Sequence, residues 1–196
     1  MLAPQPIVHE GPVVRLEPLS TAHRDEIAAA ATSDAAVFIR YGPLLNAGGV
    51  DGWLDEALGE RGAGTRQPFA VRDVASGVLV GSSSYLDIAP ADGRIEIGHT
   101  WYGGQWQGTR VNPAAKLLML AHAFDELGAT RVTLKTDALN ERSRRAILGI
   151  GATFEGVLRG HSRRYGGPGL RDTAMYSILP AEWPAVRAGL ERRSAG

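Results

Sequence analysis

Residues 94–128 carry the clearest chemical signal in the sequence, because a strand, a loop and a helix are predicted there in succession. The β-type run Arg94–Tyr102 leads into a loop with Gln105 and Gly108, and an amphipathic helical pattern begins near Asn112. Backbone N–H groups at a helix start hold phosphates, helped by the helix dipole, and glycine permits the close backbone approach that this needs. The segment therefore predicts a binding site for a phosphate-bearing ligand.

Two common phosphate-binding motifs do not fit this loop. Gly103 and Gly108 have the spacing of a P-loop, but Thr109 and Arg110 stand where that motif carries Lys and Ser or Thr. The G-x-G-x-x-G fingerprint of dinucleotide-binding folds is absent from the sequence. The loop therefore predicts phosphate binding of another kind.

The composition excludes several kinds of chemistry. The chain of 196 residues has no cysteine, and its 21 basic side chains balance 21 acidic ones. Without cysteine there is no disulfide, no cysteine-ligated zinc and no thiol nucleophile, and the balanced charge argues against a nucleic-acid partner. The five histidines are dispersed without ligand spacing, so we expect no metal site. Strand alternation places His99 on the face opposite Glu96.

The elements that must position this loop form an α/β pattern. Asn112 and Pro113 are expected to start the helix after the loop, and Gly128 to end it. A meander of strands followed by strand–helix–strand order implies a mixed sheet of about seven strands covered by helices. Strands are predicted over 13–19, 69–73, 78–87, 94–102, 131–136, 153–159 and 173–179, and helices over 20–31, 50–61, 112–127, 140–150 and 181–192.

The chain is expected to be one domain over residues 1–196, because no linker or repeat divides it. Its first 14 residues lack a basic region followed by an apolar one. The longest apolar stretch, Leu117 to Phe124, is much shorter than a membrane span. We therefore expect a soluble, cytoplasmic protein without a membrane partner.

The loop Gln105-x-x-Gly108-Thr109-x-x-Asn112 resembles the pyrophosphate loop of the GNAT superfamily of acetyltransferases, in the form seen in its RimJ/RimL-type branch. The resemblance covers roughly residues 13–183. It implies a GNAT fold, in which a mostly antiparallel, twisted sheet flanked by helices is splayed into a V. Further matching pieces follow in the same order, namely Arg131-Val132, Asn140-x-x-Ser143, Gly151-Ala152-x-Phe154-Glu155-Gly156 and Arg171-Asp172-Thr173.

The resemblance implies an N-acetyltransferase that uses acetyl-CoA as cosubstrate and needs no metal. Main-chain groups near Thr100, Trp101 and Tyr102 would meet the pantetheine arm at the end of a splayed strand. Asn140 and Ser143 would point at the pantetheine and the thioester sulfur. The pyrophosphate would be held by the loop residues Gln105, Gly108, Thr109, Arg110, Val111 and Asn112.

The same resemblance implies the catalytic groups. Glu96 lies where many superfamily members carry a general base, which acts directly or through water if burial raises its pKa. A backbone N–H near residues 100–102 would stabilise the oxyanion. Many members use a tyrosine late in the helix after the asparagine as the acid for the thiolate, but Ile147 fills that position here. Ser143, a usual residue in the RimJ/RimL-type branch, is then the candidate acid.

Ordinary structural roles remain open for these residues. Glu96 can pair with Arg94 or another cation, Asn140 can cap a helix, and Ser143 can bind first-turn backbone. An ion pair between Arg171 and Asp172 would hold the last hairpin together.

Other side chains have two interpretations each. The aromatic residues Trp101, Tyr102 and Trp106 fit either an acceptor pocket or the core. A basic cluster fits a solvated turn, an acidic acceptor or the 3′-phosphate of the cofactor, and its members are Arg159, His161, Arg163 and Arg164.

The expected reaction is acetyl transfer to a primary amine by direct attack in a ternary complex. The branch suggests a protein N-terminal α-amine, such as that of a ribosomal protein, while a polyamine, amino acid, antibiotic or other small amine stays open. Substrate specificity is expected in residues 35–65, and a homodimer through residues 181–192 is possible. A non-catalytic acyl-CoA-binding sensor or interaction module with the same fold is the alternative function.

Overall fold

The computed structural model describes residues 2–32, 49–164 and 168–195 of the chain. These residues form eight strands and five helices of eight residues or more. In chain order they are β1 (His9–Glu10), β2 (Val14–Pro18), α1 (Arg24–Thr32), α2 (Gly49–Gly62), β3 (Arg66–Asp73), β4 (Leu79–Ala89), β5 (Arg94–Tyr102), α3 (Val111–Ala121), β6 (Arg131–Asp137), α4 (Glu141–Gly149), β7 (Thr153–Arg163), β8 (Leu170–Ile178) and α5 (Trp183–Ala195).

All strands of the described residues join one open sheet in the order β1-β2-β3-β4-β5-β6-β8-β7. Neighbouring strands are antiparallel except for β5 and β6, which run parallel. The prediction of a mixed, mostly antiparallel sheet is therefore confirmed. The sequence predicted about seven strands, and the additional one is β1, whose two residues are too short to show a periodic pattern.

The sheet opens between β5 and β6. Their pairing covers only Arg94–Glu96 of β5 and Arg131–Thr133 of β6. From Ile97 to Tyr102, β5 stays hydrogen-bonded to β4 alone. The two parallel strands therefore diverge into the V that the family resemblance implied, and main-chain groups of β5 that point away from β4 have no strand partner there.

A β-bulge distorts β5 within this unpaired stretch. Ser82 of β4 pairs with Trp101 and Ser84 pairs with Gly98, so that His99 and Thr100 together face the single residue Ser83. The backbone of His99 has a φ of 46°, which is rare for a residue other than glycine. The bulge interrupts the alternation of side chains from this point of the strand.

Two hydrophobic clusters lie on opposite faces of the sheet. Phe69 and Val71 of β3 belong to the larger cluster, which α3 and α5 cover, whereas Ala70 between them belongs to the smaller one. Successive strand residues point to opposite faces, so the two clusters are separate cores. Trp53 and Leu54 of α2 fill the smaller cluster together with residues of α1. Only residues 49–65 of the region predicted to set specificity are described, because 33–48 lie outside the described residues.

The helix α3 begins differently from the prediction. Its first residue is Val111, and Asn112 therefore lies inside the helix rather than at the cap. The hydroxyl of Thr109 accepts the N–H of Val111 at 3.3 Å. Proline is tolerated throughout the first turn because N–H groups there have no intrahelical partner, so Pro113 did not fix the first residue.

The other helix boundaries agree better with the sequence. A π-helical turn over His122–Glu126 extends α3, and Gly128 ends it with a φ of 66°, as predicted. Asn140 caps α4, since its Oδ1 accepts the N–H of Ser143 at 3.0 Å. Within the described ranges, no helix is long and apolar enough to cross a membrane.

Candidate active site

A cavity of about 840 Å³ fills the gap where β5 and β6 diverge. Its walls come from β5, the loop before α3, the first turns of α3, β6, α4 and the hairpin of β7 and β8. The volume lies in the range of ligand-binding sites in proteins. The cavity therefore runs from the predicted phosphate loop to the buried end of the V.

Nine of the predicted site residues line this cavity, and three do not. Val111 is buried in the larger core, while Gln105 and Arg110 are exposed in the loop. Their contact with a cofactor stays a prediction. The nine that line the cavity are Glu96, Thr100, Trp101, Tyr102, Gly108, Thr109, Asn112, Asn140 and Ser143.

The loop before α3 is held by its own side chains. The Thr109 hydroxyl donates to the carbonyl of Trp106 at 2.7 Å, and so fixes the turn directly before the helix. Gly108 has a φ of 75°, a conformation that favours glycine, and no atom lies within 4 Å of the position that a Cβ would take. The loop therefore presents an open stretch of main chain beside the helix N-terminus, as a phosphate requires.

Gln107 is a cavity residue that the sequence did not single out. Its Nε2 donates to the carbonyl of Tyr102 at 2.9 Å, and its Oε1 accepts a short hydrogen bond from Arg142 of α4. This side chain therefore connects the end of β5 with the opposite wall of the cavity. The sequence marked Gln105 instead, because the loop pattern of the family begins at Gln105 and leaves position 107 open.

Lys116 is a second residue that the sequence did not single out. It lines the cavity from α3 and is only 4% exposed. Its Nζ donates to Thr100 Oγ1 at 2.7 Å and to Ser83 Oγ at 3.0 Å, and it has no carboxylate partner among the described residues. Burial lowers the pKa of Lys116 to about 7. The lysine connects α3 with the bulge of β5. The sequence signal that could have identified it is a charge within an otherwise apolar helix face.

Glu96 lies at the buried end of the V and is 3% exposed. Burial raises the pKa of its carboxyl above the usual range, and the nearby charge and hydrogen bond of Lys135 oppose this rise. The Nζ of Lys135 lies 2.7 Å from Glu96 Oε2. The cation beside Glu96 is therefore Lys135, whereas Arg94 pairs with Asp87.

Gly98 leaves room for the Glu96 carboxylate. A Cβ on Gly98 would lie 2.8 Å from Glu96 Oε1 and 2.8 Å from a methyl carbon of Leu86. A side chain at position 98 would therefore displace the carboxylate, the leucine or both.

The prediction that His99 lies on the face opposite Glu96 rested on regular alternation, which the bulge at His99 and Thr100 interrupts. Both residues line the cavity, and the charges of Lys135 and Arg171 act on both. Burial, followed by the positive charges of Arg66, Lys135 and Arg171, lowers the pKa of His99 to about 3. The imidazole is therefore neutral at neutral pH and a much weaker base than Glu96, whose pKa is shifted toward the working pH.

Asn140 and Ser143 line the cavity from the start of α4. The helix cap uses Oδ1 of Asn140, so that its amide N–H groups remain as donors toward a ligand. The capping role that the sequence left open is thus confirmed, and it is compatible with ligand contact.

The hairpin of β7 and β8 brings several basic residues to the cavity wall. Arg171 donates to Ser162 Oγ at 3.1 Å, and Asp172 accepts the N–H of Gly160 at 2.8 Å. These bonds cross the hairpin and stabilise it, while the ion pair between Arg171 and Asp172 stays a prediction. Three members of the predicted basic cluster line the cavity, and they are His161, Arg163 and Arg164.

The aromatic residues combine core and cavity roles. The rings of Trp101 and Trp53 meet edge to face at 5.9 Å in the smaller core, and Trp101 also lines the cavity. Tyr102 belongs to both the larger core and the cavity wall, whereas Trp106 only packs against the core. Nowhere in residues 2–32, 49–164 and 168–195 do three or more His, Asp or Glu side chains form a group suited to a metal ion.

Comparison with known proteins identifies the fold family. A family model described as an acetyltransferase (GNAT) domain matches residues 14–153. A GCN5-related N-acetyltransferase from Brucella melitensis superposes with a TM-score of 0.86 and 34% identity, over 97% of this chain and 86% of that one. RimJ of Mycobacterium smegmatis, solved in complex with CoA-disulfide, has a TM-score of 0.80 and 21% identity, over 95% of this chain and 94% of that one.

A curated relative points to a branch of this family. Bacillus subtilis YdaF, provisionally named a ribosomal N-acetyltransferase, is 31% identical over 107 residues, which are 55% of this chain and 57% of YdaF. The match thus spans less than two thirds of that relative. The chain belongs to the GNAT family of acetyltransferases, and the similarity to YdaF supports its RimJ/RimL-type branch.

Proposed function

We propose that the protein transfers the acetyl group of acetyl-CoA to a primary amine by direct attack in a ternary complex. The observation that carries the proposal is Glu96, a buried carboxyl with a raised pKa at the closed end of a cavity that begins at a phosphate loop. Such a group is a suitable base for an amine that must lose a proton. The chain has no cysteine, so a thiol cannot carry the acetyl group.

The residues of the cavity fit acetyl-CoA. The open main chain at Gly108 and the N-terminus of α3 suit the pyrophosphate. The unpaired main chain of β5 beyond Glu96 supplies donors and acceptors for the amides of the pantetheine arm. The amide of Asn140 adds a side-chain donor from the opposite wall. When bound, acetyl-CoA supplies an activated acetyl thioester.

In the proposed reaction, Glu96 takes a proton from the amine, directly or through water, and the amine nitrogen forms a bond to the carbonyl carbon of the thioester. A main-chain N–H in the bulge of β5 stabilises the oxyanion of the tetrahedral intermediate, and one such preorganised donor contributes about 3 kcal/mol. The C–S bond then breaks, and the hydroxyl of Ser143 hydrogen-bonds or protonates the departing thiolate.

The amine fixes how strong a base is needed. A protein N-terminal α-amine has a pKa near ~7.7, whereas a lysine-like amine has one near ~10.4. The α-amine therefore suits a carboxylate such as Glu96 better. The name of YdaF supports a ribosomal protein as the source of this N-terminus.

The alternative is a non-catalytic acyl-CoA-binding module, and the ion pair between Glu96 and Lys135 is the observation that favours it. Both functions predict acetyl-CoA binding, which a calorimetric titration measures. Only catalysis predicts release of free thiol that depends on an added amine. Tight acetyl-CoA binding without thiol release for any α-amine peptide or small amine would establish the module instead.

A homodimer, a cytoplasmic location and a single domain stay predictions from the sequence. Gel filtration with light scattering of the purified chain measures the first of these. The described part of α5 buries Trp183, Val186 and Leu190 within its own chain, so these side chains are not available to a second copy.

A further inference from the structure

The cavity has a strong excess of positive charge, although the chain as a whole has none. Basic and acidic residues number 21 each in the sequence. The acidic residues that line the cavity are Glu96 and Asp137. The basic residues that line it are Lys116, Lys135, Arg142, Arg145, Arg163, Arg164, Arg171 and Arg193.

Part of this charge lies beside the phosphate loop. Arg142 of α4 is hydrogen-bonded to Gln107 of that loop, and Arg145 lies about one turn further along the same helix. Arg193 of α5 also lines the cavity, and its guanidinium donates to the carbonyl of Gly149 at the end of α4. The phosphates of acetyl-CoA would be suitable ligands for Arg142 and Arg145.

Two of the other cations act on Glu96, at the buried end of the cavity. Lys135 contacts Glu96 at 2.7 Å, and the charges of Lys135 and Arg171 both act on Glu96 and on His99. In acetyl-CoA, an uncharged pantetheine arm separates the phosphates from the thioester. The cations around Glu96 are therefore not explained by the cofactor.

The amine to be acetylated must enter at this end, because Glu96 is there. A second cationic group on the acceptor would meet Lys135 and Arg171, and like charges repel strongly in a partly buried site. An anionic group close to the amine would instead find a charge-assisted partner. The same cations favour the neutral, reactive form of the amine over the ammonium.

We propose that the preferred acceptor is a primary amine with a carboxylate a few bonds away, and that Arg171 binds this carboxylate. The inference rests on the proposed acetyl transfer and specifies the chemical class of the amine that accepts the acetyl group. Polyamines and polycationic antibiotics are then poor substrates. An N-terminus followed by an acidic residue and a free amino acid both carry the required group.

The test uses short peptides that begin with serine and differ only at the second residue, which is Asp, Asn or Lys. Thiol release from acetyl-CoA gives kcat/KM for each peptide. We expect the Asp peptide to exceed the Asn peptide at least tenfold and the Lys peptide to be the poorest. A parallel pair, free serine and serinamide, separates a free amino acid from a protein N-terminus as the source of the carboxylate.

Matched variants assign the preference to residues. Arg171→Gln is expected to bring the Asp to Asn ratio close to one while the KM for acetyl-CoA stays unchanged. Arg159→Gln, on the same hairpin but outside the cavity lining, should keep the ratio. Equal kcat/KM for the Asp and Asn peptides in the unmodified protein, or a preference for Lys, would overturn the proposal.

Binding measurements keep the acceptor inference separate from the proposed reaction. The N-acetylated forms of the three peptides are titrated into the protein saturated with coenzyme A, which requires no turnover. Tighter binding of the acidic product, lost in Arg171→Gln, supports the anionic site even if no amine is acetylated. Equal binding of all three products contradicts it, whatever the activity.

Discussion

The two ends of the cavity are built in different ways. The centre of the phosphate end is main chain from one continuous segment, residues 103–116, with Gly108 and a helix N-terminus as its main features, and side chains of α4 lie beside it. The acceptor end consists of charged side chains from β5, β6 and β8, which are far apart in the sequence. Glu96 and Lys135 are in contact there, and the charge of Arg171 acts on Glu96, only because the sheet brings their strands together. The first kind of site follows from local sequence, and the second follows from strand register.

The largest effect is expected at the acceptor end, from Glu96→Gln. If Glu96 is the base, this variant lowers kcat by about 100-fold or more while acetyl-CoA affinity is retained. In the parent protein, kcat/KM should rise with pH as the carboxyl ionises, over a range above that of an ordinary glutamate because burial raises its pKa. The variant should lack this limb of the pH profile. An unchanged profile in the variant would remove Glu96 from the reaction.

The next largest effect is expected at the phosphate end, from Gly108→Val. Valine disfavours the φ of 75° that Gly108 adopts, so the loop must shift. We expect acetyl-CoA affinity to fall about 30-fold in calorimetry, in line with backbone strain of 1–3 kcal/mol. Gly64→Val is the control, because Gly64 has a φ of 74°, open surroundings and no place in the cavity lining. Equal affinity losses in both variants would mean that the loop has no special role.

A smaller effect is expected from Gly98→Ala, which tests how tightly the acceptor end is packed. The added methyl group would lie 2.8 Å from Glu96 Oε1, and we expect it to displace the carboxylate. Activity should drop about tenfold, a modest misplacement of a general base, with little change in acetyl-CoA affinity. Gly59→Ala on α2, where a Cβ meets no atom within 4 Å, serves as the control and should leave activity unchanged. Full activity of Gly98→Ala would show that the carboxylate is not confined.

The smallest effect concerns Lys116, which lies between the two ends. Its pKa is lowered from 10.5 to about 7 by burial, so the unfolded chain binds this proton more tightly than the folded one. Stability should therefore rise with pH between these two values. We expect a gain on the order of 1 kcal/mol between pH 7 and pH 8.5, measured by urea unfolding, that Lys116→Met lacks. If the free energy of unfolding changed equally with pH in both proteins, the lowered pKa of Lys116 would be contradicted.

The elements were predictable from the sequence where local signals define them. β5 was predicted at its observed bounds, and α4 within one residue, because strand alternation and the Asn140 cap are local features. The position of His99 was not predictable, since the bulge depends on pairing with Ser83 of another strand. The partner of Glu96 was likewise hidden, because Lys135 comes near only through the parallel pairing of β5 and β6.

The short junction between β5 and β6 has a mechanical consequence. Three residue pairs of β5 and β6, together with one hydrogen bond from the N–H of Thr130 to the carbonyl of Gly93, connect strands β1–β5 with strands β6–β8. Every other junction of the described sheet has five or more residue pairs, except the two pairs between β1 and β2. A ligand in the cavity contacts both parts of the sheet and therefore links them. Ligand binding then raises the free energy of unfolding, by about 2.7 kcal/mol at a free ligand concentration of 100 times Kd.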